Sequence, residues 1–153
     1  MEASYPREMK WNMLDRYGRK IDYLRISLTD RCNLRCIYCM PEEGICHIPR
    51  EEILGLDEIV RICKCAQTLG ISKIKLTGGE PLVRKICVPL VKELKAISGI
   101  SQVTLTTNGI LLKEQLPGLM DAGLDALNIS LDTLDRETFR QITRRDNIEQ
   151  VLE

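Results

Sequence analysis

The sequence of 153 residues is long enough for one domain of ordinary size, and its 44% hydrophobic and 29% charged residues are typical of a soluble globular protein. The 22 basic and 22 acidic residues give a formal net charge of +0, which provides no general field to attract nucleic acid or an anionic membrane. No apolar run is long enough for a signal peptide or a transmembrane helix, so we predict a cytoplasmic protein with no nucleic-acid or membrane partner.

The predicted elements alternate along the chain. Residues 1–17 have no sustained hydrophobic period and are predicted to be a poorly ordered lead-in to a domain that covers residues 18–153. Short segments that alternate apolar and polar residues predict four strands, at 22–29, 73–77, 102–107 and 124–131. Helical periods separate them, at 55–70, 85–99 and 112–123, and a fourth helix follows a capping residue, Asp135.

The two faces of the predicted strands differ completely in polarity. One set of alternate positions holds ten apolar residues, namely Leu24, Ile26, Leu28, Ile74, Leu76, Val103, Leu105, Leu127, Ile129 and Leu131. The other set holds none, namely Arg25, Ser27, Thr29, Lys75, Thr77, Thr104, Thr106, Asn128, Ser130 and Asp132. A doubly wound sheet buries both faces and has near-continuous apolar strands, whereas this pattern favours a parallel sheet curved around a polar, ligand-filled lumen.

We therefore predict an α/β fold: a partial (β/α) barrel of about four β/α units with parallel strands. An open doubly wound sheet is the alternative, but no G-x-G-x-x-G motif follows the first strand. Four units do not close a barrel, and the sequence stops within a helical pattern, so we expect the barrel to be incomplete at the C-terminus. Its exposed edge strands allow a homodimer.

Three of the seven cysteines stand close together, directly after the first strand. Cys32, Cys36 and Cys39 have the spacing C-x3-C-x2-C, and without a secretory signal a disulfide framework is not expected. A structural zinc site needs four ligands and would have to recruit Cys46 or His47. Three thiolates on a four-iron cluster would leave one iron open to an exogenous ligand, which is typical of a catalytic metal.

Three further motifs follow the other strands: TGGEP at 77–81, TTNG at 106–109 and SLD at 130–132. In β/α architectures the ligand site lies at the carboxyl ends of the strands, so we expect all four motifs on one rim. The two glycines of TGGEP allow a ligand to approach the backbone closely, and its glutamate offers a carboxylate to a cation. In the lumen, Arg25 and Lys75 either pair internally with Asp132 or Glu80, or bind phosphate.

The cysteine spacing beside TGGEP resembles that of the radical S-adenosylmethionine (SAM) enzymes. This resemblance implies that Cys32, Cys36 and Cys39 hold a [4Fe–4S] cluster whose open iron is chelated by SAM. It also implies that an electron supplied by a donor protein cleaves SAM to a 5′-deoxyadenosyl radical, which takes a hydrogen atom from the substrate. No other residue is assigned a catalytic role.

Within these enzymes, the stretches YLRISLTDRCNLRCIYCMPEEG, KIKLTGGEPLVR, LTTNGILL and AGLDALNISLDTLD are similar to the GTP 3′,8-cyclase family. Members are lyases that convert GTP to (8S)-3′,8-cyclo-GTP in molybdenum cofactor biosynthesis. The resemblance implies SAM contacts at Tyr38, Gly78, Gly79, Glu80 and Ser130, and GTP contacts at Arg25, Lys75 and Thr106.

The sequence departs from that family at two points. Lys75 stands where the family commonly has arginine, and the family chain continues to a second, C-terminal iron–sulfur cluster that binds the guanine. Of the remaining cysteines, Cys63, Cys65 and Cys87 are predicted to be structural residues of helices. Two alternatives stay open: a radical SAM reaction on another substrate such as a peptide, and an inactive, truncated metal-binding module.

Overall fold

The computed structural model of the chain describes residues 13–153. Four strands form one sheet: β1 is Tyr23–Ser27, β2 is Lys73–Thr77, β3 is Gln102–Thr107 and β4 is Ala126–Ile129. They are hydrogen-bonded in the order β1-β2-β3-β4, and every pair is parallel. The predicted α/β fold with four parallel strands is confirmed, and the sheet is not closed.

Five α-helices accompany the sheet within the described residues: α1 (Leu56–Thr68), α2 (Cys87–Lys95), α3 (Leu112–Asp121), α4 (Arg136–Thr143) and α5 (Ile148–Leu152). Short 3₁₀ turns lie at Arg50–Glu52 and Pro81–Val83. The helices occupy the predicted segments, and Asp135 caps α4 as predicted, because its carboxylate accepts a hydrogen bond of 2.8 Å from the Thr138 amide. Each of α1, α2 and α3 crosses from one parallel strand to the next.

The predicted lead-in lies mostly beyond the described part of the chain, since residues 1–12 are outside it. Residues 13–20 make a turn that is closed by an antiparallel bridge between Leu14 and Lys20. In the turn, the Asp15 carboxylate accepts hydrogen bonds of 2.8 and 3.0 Å from the amides of Tyr17 and Arg19.

The main core lies between the apolar face of the sheet and helices α1, α2 and α3. Its central side chains are fully buried, and they come from both layers: Cys63, Ile74, Leu76, Leu90, Leu94, Val103, Leu105 and Leu119. Burying each side chain of leucine size contributes about 1.5–3 kcal/mol, so this face supplies most of the stabilisation of the sheet.

A second, smaller core lies under the cysteine loop. Leu34 of that loop packs with Phe139 of α4 and Ile148 of α5, and Cys32 and Cys36 contact this cluster from the side. The fourth β/α unit therefore packs against the loop that follows the first strand. This contact joins the two ends of the sheet at one rim.

Three apolar side chains that the periodic patterns assign to the core lie at the surface. Ile62 of α1 and Leu69, the residue that follows this helix, are each 46% exposed. Ile129 of β4 is 49% exposed, because its strand forms the edge of the sheet. The opposite, polar face stays open to solvent among the described residues, as expected for a lumen.

Candidate functional site

The four motifs lie at the carboxyl ends of four adjacent parallel strands. The cysteine loop follows β1, TGGEP follows β2, TTNG ends β3, and SLD follows β4. Because the strands are parallel and in sequence order, these ends share one edge of the sheet. The rim expected from the sequence is present.

The cysteine loop is a compact turn with its thiols at different depths. Cys32 and Cys36 are half-buried, Cys39 is exposed, and all three are free thiols. The amides of Cys39 and Met40 donate to the Cys36 carbonyl at 2.9 and 3.0 Å, which makes a turn around the last two cysteines. The Leu34 amide donates a hydrogen bond of 3.4 Å to the Cys32 sulfur. A thiolate at Cys32 would be stabilised by that amide.

The end of α4 holds the cysteine loop in place. The main-chain amides of Arg35 and Ile37 donate to the carbonyls of Thr143 and Ile142, at 3.0 and 2.9 Å. Arg144, in the left-handed conformation at φ 55°, ends the helix. Its guanidinium Nη1 donates at 3.0 Å to two carbonyls of the loop, at residues 35 and 40. Carbonyls that α4 leaves unpaired thus satisfy amides of the loop.

Burial raises the pKa of the Cys32 and Cys36 thiols above the usual value. Both are therefore protonated at neutral pH in the metal-free chain, and iron must displace their protons when it binds. Among residues 13–153, no three His, Cys, Asp or Glu side chains converge on a point that could hold a single metal ion. Three cysteine thiolates are a donor set that a four-iron cluster accepts, each on a separate iron, whereas a closed structural zinc site needs four ligands.

The glycines of TGGEP pack against the backbone of the cysteine loop. The Gly79 amide donates to the Thr29 carbonyl at 2.7 Å, and the Glu80 amide donates to the Arg31 carbonyl at 2.8 Å. A Cβ on Gly78 (φ 148°) would lie 2.6 Å from the Thr29 oxygen, and one on Gly79 would overlap the Arg31 oxygen. The close approach that these glycines allow is an approach of one loop to the other. Their contact with SAM stays a prediction.

Glu80 is the most buried charged residue among those predicted for the site, with 1% of its surface exposed. Its Oε1 accepts hydrogen bonds from the Leu82 amide and the Thr107 hydroxyl, at 2.9 and 2.8 Å. Its Oε2 accepts a bond of 2.7 Å from the Asn108 amide. The carboxylate therefore joins the ends of β2 and β3. The predicted contact with a cation of SAM would have to be made in addition to these three bonds.

The lumen face brings the predicted GTP-binding cations together. Arg25 and Lys75 are directly opposite each other in the β1–β2 ladder, so their side chains project from the same face as neighbours. The Lys75 ammonium donates to Asn128 Oδ1 at 2.7 Å, and Thr106 lies beside Asn128 in the β3–β4 ladder. Within residues 13–153 neither cation forms an ion pair with a carboxylate, so the internal pairing considered from the sequence is not observed.

Tyr38 and Ser130 lie at exposed positions of the rim. The Tyr38 hydroxyl donates to Asp132 Oδ2 at 2.7 Å, and this bond to a carboxylate raises the pKa of the phenol. The Tyr38 ring is 70% exposed, so one face is free for a planar ligand among the described residues. The Ser130 amide donates to the Thr107 carbonyl at 2.8 Å, while its side chain is exposed.

Asn108 is a residue of the site that sequence reasoning did not single out. Its side-chain amide donates to Asn33 Oδ1 at 2.7 Å and lies 3.8 Å from the Cys32 sulfur. Its position in TTNG placed it on the rim, but its side-chain partners depend on how the loops pack. Arg144, which clamps the cysteine loop, was missed because no local motif marks it.

The remaining cysteines and the histidine differ in their surroundings. Cys63 and Cys87 are fully buried in the core, and burial raises their pKa values to about 11 and about 12. Cys65 is exposed on α1. His47 Nδ1 lies 3.3 Å from the Asp30 carboxylate, which also accepts a bond of 2.7 Å from the Ile48 amide.

A sequence model of the Radical SAM superfamily matches residues 26–153. The chain belongs to the radical SAM superfamily. Members of this superfamily use a [4Fe–4S] cluster and SAM, so the cofactors expected from the cysteine loop are confirmed for the family. The described helices include none that is long and apolar enough to cross a membrane.

Curated relatives share about half of their residues with the chain. A GTP 3′,8-cyclase of Peptoclostridium acidaminophilum is 55% identical over 141 residues, which is 92% of this chain and 43% of the relative. A GTP 3′,8-cyclase of Petrotoga mobilis is 51% identical over 92% of this chain and 44% of the relative. The chain thus spans less than half the length of these enzymes, and the resemblance to the cyclase family is confirmed over that part.

Solved structures share the fold at low sequence identity. The chain superposes with a TM-score of 0.56 on BtrN in complex with AdoMet and 2-DOIA, at 17% identity, covering 79% of this chain and 50% of BtrN. It superposes with a TM-score of 0.59 on Streptococcus suis SuiB bound to its precursor peptide SuiA, at 21% identity, covering 84% of this chain and 29% of SuiB. These similarities support the partial-barrel architecture.

Proposed function

We propose that the chain binds a [4Fe–4S] cluster through Cys32, Cys36 and Cys39 and binds SAM beside it, as the SAM-cleaving part of a GTP 3′,8-cyclase. The observation that carries the proposal is the cysteine loop packed directly on TGGEP at the carboxyl rim of the sheet. The identity of 55% to a named cyclase supports the choice of reaction. The pathway would be molybdenum cofactor biosynthesis.

The cofactors, when bound, supply one-electron cleavage of SAM and thereby a radical for hydrogen-atom abstraction. The chain's own residues position SAM: Asp132 holds the Tyr38 hydroxyl, which fixes the ring for contact with the adenine. Main-chain atoms at Gly79 and the side chain of Ser130 offer hydrogen-bonding groups at the same rim. The α4 clamp keeps the three thiols in one loop conformation, which limits the reorganisation needed when the cluster binds.

Arg25 and Lys75 support GTP as the substrate. Their positive charges lie directly opposite each other in neighbouring strands and repel each other. A bound polyanion is attracted to both charges and offsets this repulsion. The arginine fork and the lysine ammonium suit phosphate oxygens, and Thr106 adds a hydroxyl two strands away. The arginine common in the family can make two parallel hydrogen bonds to one phosphate, whereas the Lys75 ammonium binds as a single point charge. We therefore place the triphosphate across β1 and β2.

The first experiment tests the cofactors. After anaerobic reconstitution with iron and sulfide, we expect about four irons per chain, a [4Fe–4S] EPR signal on reduction, and release of 5′-deoxyadenosine from SAM. Cys32→Ser should lose the cluster, whereas Cys46→Ser, an exposed cysteine of the neighbouring loop, should retain it. Bound zinc without iron, together with no 5′-deoxyadenosine, would show a metal-binding module instead of a radical enzyme.

The second experiment tests the substrate. Equilibrium dialysis with GTP should show about tenfold weaker binding for Arg25→Gln and for Lys75→Gln, because each removes a charged hydrogen-bond donor. Lys75→Arg should retain or improve binding, and Lys64→Gln, on the exposed face of α1, serves as the charge-matched control. If both lumen variants bind GTP as the wild type does while SAM cleavage persists, the substrate is a different one, such as a peptide.

We also propose a cytoplasmic location, because seven free thiols suit a reducing compartment.

An electron-donor protein is proposed as a partner, since SAM cleavage consumes one electron. The edges of β1 and β4, which are unpaired within residues 13–153, support a homodimer. Analytical ultracentrifugation tests the dimer, and subcellular fractionation tests the location.

A further inference from the structure

A cavity of about 440 Å³ opens on the rim beside the cysteine loop. Three segments that are distant in sequence form its walls: residues 29–33, the 3₁₀ turn with Ile53, and residues 83–85. Apart from Cys32, no residue predicted to contact the cluster, SAM or GTP is among its described lining residues. The cavity is therefore separate from the lumen that holds Arg25 and Lys75.

The lining of this cavity is strongly cationic. Its nine described lining residues are Thr29, Arg31, Cys32, Asn33, Arg50, Ile53, Val83, Arg84 and Lys85. Four of these nine residues carry a positive charge, and none of them is acidic. Within residues 13–153 none of the four cations forms an ion pair. Since the chain as a whole has a formal net charge of +0, this concentration is local. A concave cationic surface attracts anions by focusing the field.

One of the four cations is anchored by hydrogen bonds, one has a buried and unpaired donor, and two are exposed. Arg84 Nη1 donates to the Leu28 and Leu54 carbonyls at 2.8 and 3.0 Å, which anchors its guanidinium at the cavity wall. The Nε of Arg31 is buried and has no hydrogen-bond partner among the described residues. A buried donor without a partner raises the free energy of the empty site, and a ligand oxygen would remove that cost. Arg50 and Lys85 are exposed side chains at the entrance.

Two carboxylates lie next to this cavity, at Asp30 and Glu52. They line a neighbouring cavity, which shares Thr29, Ile53 and Arg84 with this one. Asp30 Oδ2 accepts a bond from the Ile48 amide and lies against His47, whereas its Oδ1 is buried without a hydrogen-bond partner among the described residues. The Glu80 carboxylate is enclosed between β2 and β3. Neither Asp30 nor Glu52 is among the residues that line the cavity itself, so its own lining remains cationic.

We propose that this cavity binds a diphosphate or triphosphate group, as a second anion site outside the lumen. A carboxylate would balance one of four positive charges, whereas a diphosphate carries enough charge and enough oxygens to contact the arginine forks and the lysine together. A volume of about 440 Å³ lies within the range of small-ligand pockets. Free pyrophosphate and the phosphate tail of a nucleoside triphosphate share this chemistry.

The test is calorimetric binding of pyrophosphate to the metal-free, reduced protein, so it needs neither the cluster nor SAM. We expect saturable binding that weakens about tenfold in Arg50→Gln and in Lys85→Gln, since each loses a charged hydrogen bond. Lys85→Arg should keep the affinity. Arg50 and Lys85 are both exposed, and an unchanged circular dichroism spectrum will confirm that each variant is folded. Arg84 is not substituted because its guanidinium donates hydrogen bonds to two main-chain carbonyls.

Two controls separate this site from other anion binding. Lys92→Gln, an exposed lysine on α2, removes the same charge elsewhere and should leave the affinity unchanged. The lumen variant Arg25→Gln/Lys75→Gln should also keep pyrophosphate binding, whatever it does to GTP. Parallel titrations with ATP distinguish a nucleotide tail, which binds at least as tightly, from free pyrophosphate. Absence of saturable binding, or its loss in the lumen variant but not in Arg50→Gln and Lys85→Gln, would overturn the proposal.

Discussion

Replacing Glu80 by glutamine tests whether this residue is a structural junction or a free ligand. The substitution preserves the shape of the side chain but converts one of its two oxygens into an NH₂ group. One oxygen accepts from the Leu82 amide and the other from the Asn108 amide, at 2.9 and 2.7 Å. Whichever way the glutamine amide is turned, its NH₂ group faces a main-chain N–H. The variant must therefore leave one buried donor unpaired.

The cost follows from the burial of the site. Glu80 is 1% exposed, so water cannot replace the lost acceptor. An unpaired buried donor costs about 1–3 kcal/mol, and loss of the charge weakens the remaining bonds, so we expect a loss of about 2–4 kcal/mol in the free energy of unfolding. With a urea m-value of about 2 kcal/mol/M, the midpoint should fall by about 1–2 M.

The assay is urea unfolding followed by far-ultraviolet circular dichroism. Glu93→Gln, an exposed residue of α2, makes the same chemical change at the surface and should shift the free energy of unfolding by no more than about 0.5 kcal/mol. If the Glu80 variant is as stable as the Glu93 variant and loses only SAM affinity, the carboxylate is a ligand of the cofactor and the junction described above is wrong.

Three further predictions concern the loop packing and the pH dependence. Gly79→Ala should lower the free energy of unfolding by several kcal/mol and abolish cluster assembly, because the new Cβ would overlap a main-chain oxygen of the cysteine loop. Iron content and thermal unfolding measure these effects, and a normal iron content would contradict the prediction. Burial opposes ionisation of Asp125, but hydrogen bonds from a β3 amide and from Lys95 outweigh burial and lower the pKa of its carboxyl group. The ionised carboxylate therefore stabilises the fold above its unfolded pKa, and this stabilisation is lost as the pH falls through the lower folded pKa. Asp125→Asn should therefore unfold more easily than the wild type at pH 7 and approach it as the pH falls through the folded pKa of Asp125, by urea midpoints. A difference that stays constant with pH would refute the assignment. Arg144→Gln should speed hydrogen exchange of loop amides 35–40 by about tenfold or more while β3 is unchanged, and equal protection would exclude the clamp.

The strands and the rim could be predicted from the sequence because they depend on local patterns. A strict alternation of apolar and polar residues identified the polar face, which includes Arg25 and Lys75, before any contact was known. Motifs that follow parallel strands must meet at one edge, so the neighbourhood of the cysteine loop and TGGEP followed from topology alone. Asp135 was recognisable as a cap because capping is also local.

The remaining features depend on contacts between distant segments. The sequence suggested room for a ligand at Gly78 and Gly79, but which backbone they approach is decided by loop packing. Glu80 was predicted to offer its carboxylate to a cation, because nothing nearby in sequence reveals the two donors of the TTNG segment. Ile129 fits the apolar pattern and is exposed nonetheless, since a period of two does not tell which strand forms the edge.

The clamp at the end of α4 has a consequence for the order of events during synthesis. Arg144 and the Arg35 carbonyl that it binds are separated by 109 residues, so the cysteine loop emerges from the ribosome long before its clamp. Until the fourth β/α unit folds, the loop amides have no helix end to bind, and the three thiols belong to a flexible segment. Iron delivered earlier would meet independent cysteines. If the three thiols hold a cluster, we therefore expect it to assemble after the fourth β/α unit has folded.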